Sequence, residues 1–389
     1  MPTASPKCVF VSAGESSGEL YAAELVARLK RDWPATHWFG CAGPRMQAQG
    51  VEPVVDTASL AVVGIVEVVS HLPRIFGEYR KLLKEIRQRR PAFVILTDSP
   101  DFHLRLAAKV HAMGIPVIYL VAPQAWAWRQ GRARQMSRTL TRLLCLFPFE
   151  ETWYRQRGVA AEYIGHPLAK LVKPAESRQS WRARRGFVST KPLVVLCPGS
   201  RVGEVGRHLA TLVESTTRIN ETLPCQFALA LPQGFRKRAG EQFFRERKIA
   251  GTIQVIEGET WDAMAHADLV LAASGTVTVE AALLGTPMVT YYKVTALSWL
   301  LGRWLVKVPH LTMVNLIAGR RVVPELMQNE MTAERLSAEA LKLLTSQQAS
   351  ERMRRELEDV RAKLASEQDP MERAARIVKE FFDEQRTNH

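Results

Sequence analysis

The stretch CVFVSAGESSG, residues 8–18, joins a short run of apolar and β-branched residues to a loop rich in glycine and serine. An amphipathic stretch, residues 19–32, follows this loop directly. A strand, a tight loop and a helix in this order are typical of βαβ units, in which helices join parallel strands. The stretch therefore predicts an α/β fold built on a parallel sheet.

The same alternation runs through the chain in two passes. The first pass predicts strands at residues 8–13, 37–40, 93–97, 117–121 and 143–147. The second pass predicts strands at residues 193–197, 227–231, 253–256, 269–272 and 287–291. After Glu325 the pattern predicts helices and no strand. We expect an α/β protein with two Rossmann-like domains facing a cleft and a helical C-terminal tail.

A basic stretch bracketed by prolines, residues 173–192, separates the two passes. We interpret it as a linker between an N-terminal domain, residues 1–172, and a C-terminal domain, residues 193–366. We expect residues 367–389 to form a helix that packs on the N-terminal domain or on a partner subunit. Whether the chain forms a homo-oligomer stays open.

The amino-acid composition excludes several classes of protein. The chain has 389 residues, a formal net charge of +14 and five cysteines without a C-x-x-C pair. This composition excludes a disordered or disulfide-stapled chain, and we expect a cytoplasmic protein. No apolar run approaches the ~18 residues that a membrane-spanning helix needs, so an integral membrane protein is not expected.

The positive charge is concentrated in two stretches. Residues 74–90 carry seven basic residues against two acidic ones, and residues 128–142 carry five against none. A solvated helix face is one interpretation of these stretches. An anionic membrane surface or lipid phosphate is the second, and nucleic acid is the third.

Loops that follow strands carry the candidate chemistry, because ligands of parallel sheets bind at the carboxyl ends of the strands. The first loop contains Gly14, Glu15, Ser16, Ser17 and Gly18, and the helix start after it favours an anion. Its spacing differs from the G-x-G-x-x-G of dinucleotide binding. It matches the G-x-S-x-G of serine hydrolases, but no upstream oxyanion loop and no partner histidine support that class.

Two carboxylates follow the predicted strand at residues 93–97. Asp98 is a candidate general base for a sugar hydroxyl, and Asp101 is a candidate helix cap. A metal site is the weaker interpretation, since two aspartates without convergent histidine or glutamate do not define one.

The second pass also has glycine-containing loops at strand ends. Gly199 allows close backbone approach, while Ser200 and Arg201 suit phosphate oxygens. The loop lacks the Lys-Ser/Thr of a Walker motif, so we prefer diphosphate binding to ATP hydrolysis.

A second loop of this kind contains Ser274, Gly275 and Thr276. Glu280 lies about one and a half turns into the following helix, where a carboxylate can reach a ribose diol. Asn315, in the stretch HLTMVNLIAGRR at residues 310–321, can make paired amide hydrogen bonds. This last stretch is ambiguous by itself.

Together these loops resemble the lipid-A-disaccharide synthases, a family of bacterial inverting glycosyltransferases with the two-Rossmann GT-B fold. The resemblance covers residues 8 to about 328 and is carried by GESSG at 14–18, AGPRM at 42–46, VGIVE at 63–67, DSPDF at 98–102, APQAWAW at 122–128, GHP at 165–167, PGSR at 198–201, ASGT at 273–276 with Glu280, and NLIAGR at 315–320. The chain departs from the family at Glu19 and His103, where Asp and Asn are usual.

The resemblance implies transfer from UDP-2,3-diacylglucosamine to 2,3-diacylglucosamine 1-phosphate, giving a β-1,6-linked disaccharide 1-phosphate and UDP without a metal or cofactor. It implies that Asp98 is the base, with Glu15 as the rival, and that the loop with Gly14, Ser16, Ser17 and Gly18 belongs to the acceptor side. It implies UDP-sugar binding by Gly199, Ser200, Arg201, Ser274, Gly275, Thr276, Glu280 and Asn315.

The family also implies peripheral association with the cytoplasmic surface of the inner membrane, because both substrates carry acyl chains. Apolar residues of 62–76 and 299–304 are then candidates for membrane contact. The candidates for lipid phosphate are Arg74, Arg80, Lys81, Arg129 and Arg132.

Two other classes remain as alternatives. A UDP-N-acetylglucosamine 2-epimerase would share nucleotide binding but has no use for an acyl-chain surface. A nucleic-acid-binding protein is disfavoured, because the basic residues are not joined to a recognition module.

Overall fold

The computed structural model describes residues 5–60, 65–246, 249, 253–295, 299 and 308–387, without the side chains of residues 16, 60, 65–72 and 128. These residues form two compact units. Unit 1 comprises residues 5–167 and 366–387, and unit 2 comprises residues 168–295, 299 and 308–365. Each unit contains one parallel sheet with helices joining its strands.

Unit 1 has a seven-stranded sheet of order β3-β2-β1-β4-β5-β6-β7. Its strands are β1 (Cys8–Ala13), β2 (His37–Cys41), β3 (Glu52–Val55), β4 (Val94–Thr97), β5 (Val117–Leu120), β6 (Arg142–Cys145) and β7 (Ala161–Tyr163). Its helices are α1 (Ser16–Asp32), α2 (Pro44–Ala48), α3 (Thr57–Leu60), α4 (Ile65–Arg89), α5 (Pro100–His111), α6 (Ala125–Trp128), α7 (Arg132–Thr139), α8 (Pro148–Arg155) and, after unit 2, α19 (Pro370–Thr387).

Unit 2 has a six-stranded sheet of order β10-β9-β8-β11-β12-β13. Its strands are β8 (Leu193–Cys197), β9 (Gln226–Leu231), β10 (Ile253–Glu257), β11 (Leu269–Ala273), β12 (Met288–Tyr292) and β13 (Glu325–Met327). Its helices are α9 (Leu168–Leu171), α10 (Arg178–Arg185), α11 (Val202–Thr222), α12 (Phe235–Ala239), α13 (Glu241–Glu246), α14 (Thr260–Ala265), α15 (Thr276–Leu283), α16 (Met313–Ala318), α17 (Ala333–Thr345), α18 (Gln347–Leu364) and a 3₁₀ turn (Gln328–Glu330).

Every strand predicted from the sequence is present, and the prediction of two α/β domains with a helical C-terminal region is confirmed. Strands β3, β7 and β13 were missed. The expectation of no strand from Glu325 onward was wrong, because β13 pairs in parallel with β12. All three missed strands are sheet edges of three or four residues, too short to show a hydrophobic pattern.

The predicted linker, residues 173–192, is instead folded onto unit 2 and contains α10. Trp181 is fully buried, and its indole N–H donates to Glu259 Oε2 at 2.7 Å. Arg182 is also buried, and its Nη2 lies 2.7 Å from Asp268 Oδ2. The change of unit therefore falls between residues 167 and 168, because these contacts fix the basic stretch in unit 2.

Helix α19 packs on α1 and completes the core of unit 1. The ring of Phe381 lies 6.1 Å from that of Phe93, and the ring of Phe382 lies 5.4 Å from that of Trp33. Trp33, Phe93 and Phe381 are at most 1% exposed. The described end of the chain is therefore part of the first α/β core.

We predict that Phe381→Ala destabilises unit 1 by about 3–5 kcal/mol, because it removes a buried ring and leaves a cavity between α19 and the sheet. Hydrogen exchange read by mass spectrometry should show faster exchange in β1 and β4. The control is Phe76→Ala, at a ring that is 53% exposed, which should change the free energy of unfolding by less than about 1 kcal/mol. Unchanged exchange in Phe381→Ala would contradict this account of the core.

Candidate active site

The candidate loops meet where each sheet reverses its strand order. In unit 1 this point lies between β1 and β4, and in unit 2 it lies between β8 and β11. The crevice at such a point, outside the carboxyl ends of the strands, is the usual ligand site of open α/β sheets. Residues 14–18 follow β1 and Asp98 follows β4, while residues 198–201 follow β8 and residues 274–276 follow β11. The structure thus brings these loops together in pairs, one pair in each unit.

In unit 1 the glycine-serine loop is shaped around the carboxylate of Asp98. The backbone N–H of Gly14 donates to Oδ1 at 2.9 Å, and that of Glu15 donates to Oδ2 at 3.2 Å. A Cβ atom at Gly14 would overlap Ser99 Oγ, and one at Gly18 would overlap Asp98 Oδ2. Gly14 is therefore required by Ser99 and Gly18 by Asp98, both of which lie against the N-terminal end of α1.

The backbone at Asp98 is strained. Asp98 has φ 57° and Ser99 has φ 40°, both in the left-handed region, which costs on the order of 1–3 kcal/mol per residue. The carbonyl oxygen of Asp98 accepts a hydrogen bond from His103 Nδ1 at 2.9 Å and another from the hydroxyl of Tyr119. Both donors are fully buried. His103 and Tyr119 therefore hold Asp98 in this conformation.

Burial raises the pKa of Asp98 well above its ordinary value, and the negative charge of Glu15 raises it further against the opposing loop N–H groups. Burial lowers the pKa of His103 to about 4, so the imidazole is neutral near pH 7. Its Nδ1–H donates to Asp98, and Nε2 accepts from the hydroxyl of Ser12 at 2.8 Å. A carboxylate with a raised pKa is suited to taking a proton from a hydroxyl group.

Asp101 lies in the first turn of α5, where Ser99 occupies the cap position. Its side chain is not a helix cap, which corrects the sequence interpretation. Instead, its Oδ1 accepts a hydrogen bond from Arg129 Nη1 at 2.6 Å and also contacts Arg132 Nη2. Two of the predicted lipid-phosphate residues therefore contact an aspartate that follows the candidate base by three residues.

The other predicted lipid-phosphate residues lie on α4. Arg74 donates to the carbonyl of Ser59 at 2.9 Å, and the guanidinium of Arg80 lies 4.3 Å from the ring centroid of Phe76. Arg74, Arg80 and Lys81 are exposed. The structure therefore separates the five basic residues into two groups.

In unit 2 the loop after β8 is fixed by side chains of the helix that follows it, α11. The carboxylate of Glu204 accepts the N–H of Ser200 at 3.1 Å, and a Cβ atom at Gly199, where φ is +119°, would overlap that carboxylate. His208 is buried, and its Nδ1–H donates to the carbonyl of Pro198 at 2.8 Å. Burial lowers the pKa of His208, which favours the neutral ring. These contacts fix the loop that ends at the start of α11.

The loop after β11 is also anchored. Ser274 Oγ donates to the carbonyl of Leu311 at 2.9 Å, and α15 begins directly after the exposed, extended Gly275. Glu280 lies farther along α15 and is partly exposed. Burial raises the pKa of Cys197 at the end of β8, and the charge of Glu280 raises it further. The two phosphate-type loops of unit 2 are therefore neighbours.

Asn315 has a different position from the one expected. It is fully buried, and its Nδ2 donates to the carbonyl of Val323 at 3.0 Å and to Glu325 Oε1 at 2.8 Å. Its Oδ1 accepts the N–H groups of Val322 and Val323 at 2.7 and 3.0 Å. Because the protein uses all hydrogen-bonding positions of the amide, Asn315 positions β13 and does not contact a ligand in this conformation.

The carboxylate of Glu325, which accepts a hydrogen bond from Asn315, lines a cavity. Burial opposes ionisation of Glu325, but hydrogen bonds from Thr312 and Asn315 lower its pKa below the ordinary value. A cavity of ≈ 580 Å³ is lined by Leu311, Arg321 and Glu325, among other residues. Since the carbonyl of Leu311 accepts from Ser274, the cavity adjoins the loop after β11.

Sequence reasoning missed three residues that hold these loops: Ser12, Tyr119 and Glu204. Tyr119 lies inside an apolar strand that gives no sign of a polar contact. Glu204 and His208 are four residues apart and share a face of α11, which is a usable signal. His103 and His208 have no metal-site spacing in the sequence, and the structure shows each as a buried histidine whose two ring nitrogens are hydrogen-bonded within the protein.

Some expectations fall outside the described residues. Residues 62–64 and 300–304, proposed for membrane contact, are among them, as are the side chains of residues 16 and 65–72. Within the described ranges, no helix is long and apolar enough to cross a bilayer. The same ranges contain no group of three or more His, Cys, Asp or Glu side chains arranged to hold a metal ion.

Comparison with known proteins identifies the family to which the chain belongs. A family model described as lipid-A-disaccharide synthetase matches residues 9–381. The lipid-A-disaccharide synthase of Solibacter usitatus is 55% identical, covering 98% of this chain and 99% of its own. That of Koribacter versatilis is 42% identical, covering 95% and 97%.

Solved structures share the fold at low identity. The UDP-GlcNAc 2-epimerase of Neisseria meningitidis, bound to UDP-GlcNAc, has a TM-score of 0.63 at 11% identity and covers 97% of this chain and 100% of its own. The spinosyn rhamnosyltransferase has a TM-score of 0.60 at 11% identity and covers 95% and 99%. The fold alone does not separate epimerase from transferase, but the family model and the relatives do. The chain belongs to the lipid-A-disaccharide synthetase family.

Proposed function

We propose that this chain joins UDP-2,3-diacylglucosamine to 2,3-diacylglucosamine 1-phosphate and releases UDP and a β-1,6-linked disaccharide 1-phosphate. Family membership supports the substrates. The observation that carries the chemistry is the carboxylate of Asp98, which has a raised pKa and is fixed by two backbone N–H groups at the switch point of unit 1.

In this proposal Asp98 takes the proton of the acceptor 6-hydroxyl. The bond from that oxygen to the anomeric carbon of the donor forms as the bond from that carbon to the diphosphate breaks, which inverts the anomeric centre. The proton moves to Asp98 and the electron pair leaves with UDP. His103 and Tyr119 act as positioning residues, because they contact the backbone of Asp98 and not its carboxylate.

In this proposal unit 2 binds the donor, UDP-2,3-diacylglucosamine. The starts of α11 and α15, with Ser200, Arg201 and Ser274, would stabilise the charge that develops on the leaving diphosphate. Glu280 would accept hydrogen bonds from the ribose hydroxyls. The cavity beside Leu311 offers room for part of the donor beyond the diphosphate. Asn315 would contribute indirectly by fixing Glu325.

The first test is product formation. Purified protein incubated with both lipid substrates in neutral detergent, without added metal, should yield the disaccharide 1-phosphate and UDP by mass spectrometry. Incubation with UDP-N-acetylglucosamine alone should leave that sugar unchanged. An epimerised product would select the alternative function that shares this fold.

We predict that Asp98→Asn lowers kcat by at least ~100-fold while UDP affinity is preserved, because the base is lost and the donor loops are intact. Glu15→Gln should keep substantial activity. Since Asp98 acts in its deprotonated form, activity falls as pH drops through its raised pKa. Removing the charge of Glu15 lowers that pKa, so the acid limb of the kcat/KM profile should move to lower pH.

The two carboxylates give opposite outcomes in this experiment. If Glu15 is the base, Glu15→Gln loses activity at every pH and no shifted acid limb is seen. Thermal unfolding of both variants should be compared with the unsubstituted protein, because Asp98 also fixes the loop at residues 14–18.

We also propose peripheral membrane association through α4. Phe76 is 53% exposed on this helix, beside the exposed Arg74, Arg80 and Lys81. An exposed ring among cations suits an interface between apolar chains and anionic head groups.

Flotation with vesicles containing anionic lipid should therefore recover the protein, and neutral vesicles should not. Changing Arg74, Arg80 and Lys81 together to Gln should weaken binding by about 100-fold, at roughly 1 kcal/mol for each cation. The control changes Lys342, Arg352 and Arg355 to Gln, which removes the same charge from exposed positions in unit 2. Equal weakening by both triple variants would contradict a specific role for α4.

A further inference from the structure

Three charged side chains form a cluster around Asp101, three residues after the candidate base in the sequence. Arg129 Nη1 lies 2.6 Å from Asp101 Oδ1, and Arg132 Nη2 contacts the same oxygen. Both guanidinium groups therefore contact the same carboxylate oxygen. The side chain of Arg132 is only 16% exposed, which restricts its orientation.

The cluster and Asp98 both act on the hydroxyl group of Tyr119. Asp101 is three residues further along the same loop and helix start. Burial raises the pKa of the Tyr119 hydroxyl, the charge of Asp98 raises it further, and that of Arg132 opposes the increase. Both charges are therefore within electrostatic reach of the hydroxyl group that donates to the carbonyl of Asp98.

The charge balance of the surrounding loops singles out the two arginines. The segments that follow β1, β4 and β5, namely residues 14–18, 98–103 and 121–132, contain Glu15, Asp98 and Asp101 as their acidic residues. Arg129 and Arg132 are the only Lys or Arg residues in these three segments. A phosphate group bound here would be repelled by the carboxylates, so these arginines are the groups able to compensate its charge.

We propose that Arg129 and Arg132 bind the anomeric phosphate of the acceptor, with Asp101 fixing both guanidinium groups for that contact. This inference rests on the proposed function, which supplies an acceptor with a phosphate monoester across one sugar ring from the attacking hydroxyl. It separates these two residues from Arg74, Arg80 and Lys81, whose partner is the membrane surface. Phosphate is common to the acceptor and to lipid head groups, and the assay conditions distinguish them.

The test compares two acceptors in neutral detergent micelles, where no anionic lipid surface is present: 2,3-diacylglucosamine 1-phosphate and the same sugar without the phosphate. The unsubstituted protein should prefer the phosphorylated acceptor. Arg132→Gln should raise the KM for it by ~10- to 100-fold, the loss expected for charge-assisted hydrogen bonds. The ratio of kcat/KM for the two acceptors should fall by the same factor, with the donor KM unchanged.

Three further variants make the comparison specific. Arg129→Gln should reproduce the loss of phosphate preference, which guards against a folding defect in one variant. Arg138→Gln removes the same charge from an exposed position on α7, the helix that contains Arg132. It should leave the ratio of kcat/KM for the two acceptors unchanged. Asp101→Asn should keep part of the preference, because both guanidinium groups remain but lose the carboxylate that fixes them. If the cluster were merely a structural ion pair, Asp101→Asn and Arg132→Gln would have the same effect.

The outcomes separate this inference from the proposed function. An active protein whose acceptor ratio is unchanged in Arg132→Gln and Arg129→Gln overturns the inference alone. A loss seen on anionic vesicles but absent in neutral micelles assigns the arginines to lipid head groups and also overturns it. A protein that forms no disaccharide with either acceptor overturns both proposals.

Discussion

The carboxylate of Asp98 joins two loops at the point where the first sheet reverses its strand order. It accepts the N–H groups of Gly14 and Glu15, and it fills the space that a side chain at residue 18 would need, while the neighbouring Ser99 fills the space at residue 14. The left-handed backbone at Asp98 persists because His103 and Tyr119 hold its carbonyl from the buried side. The position of the candidate base and the shape of the glycine-serine loop are therefore a single structural feature.

The same arrangement, a glycine packed against a carboxylate that accepts a backbone N–H group, occurs elsewhere in the molecule. In unit 2, Gly199 leaves room for the carboxylate of Glu204, which accepts a loop N–H group. In unit 1, Gly43 leaves room for Glu19, which accepts the N–H of Arg45 at the start of α2. Each time, a glycine lies against a carboxylate that satisfies a backbone donor. These glycines serve the protein's own packing, whereas sequence reasoning assigned Gly14, Gly18 and Gly199 to the approach of a ligand.

The sequence was sufficient for the central strands, because strands buried on both faces appear as continuous apolar runs. It was insufficient for the edge strands, which are short, and for residues 173–192, whose polarity suggested a linker. The contact that folds this stretch onto unit 2 joins Arg182 to Asp268, and nothing local in the sequence indicates such a pair. Site loops were identified because strand ends are where ligands bind, but the partners of Asn315 depend on how the chain folds back at β13.

The placement of α19 determines the order in which the two units can be completed. The chain leaves unit 1 after residue 167 and returns to it at residue 366, so the ribosome makes the described residues of unit 2 in between. Unit 2 then has its full set of elements while Trp33 and Phe93 of unit 1 still lack the rings of α19 that cover them. Domains fold as units during synthesis. The unit that begins first is thus finished last, because its buried rings are covered only once α19 has been made.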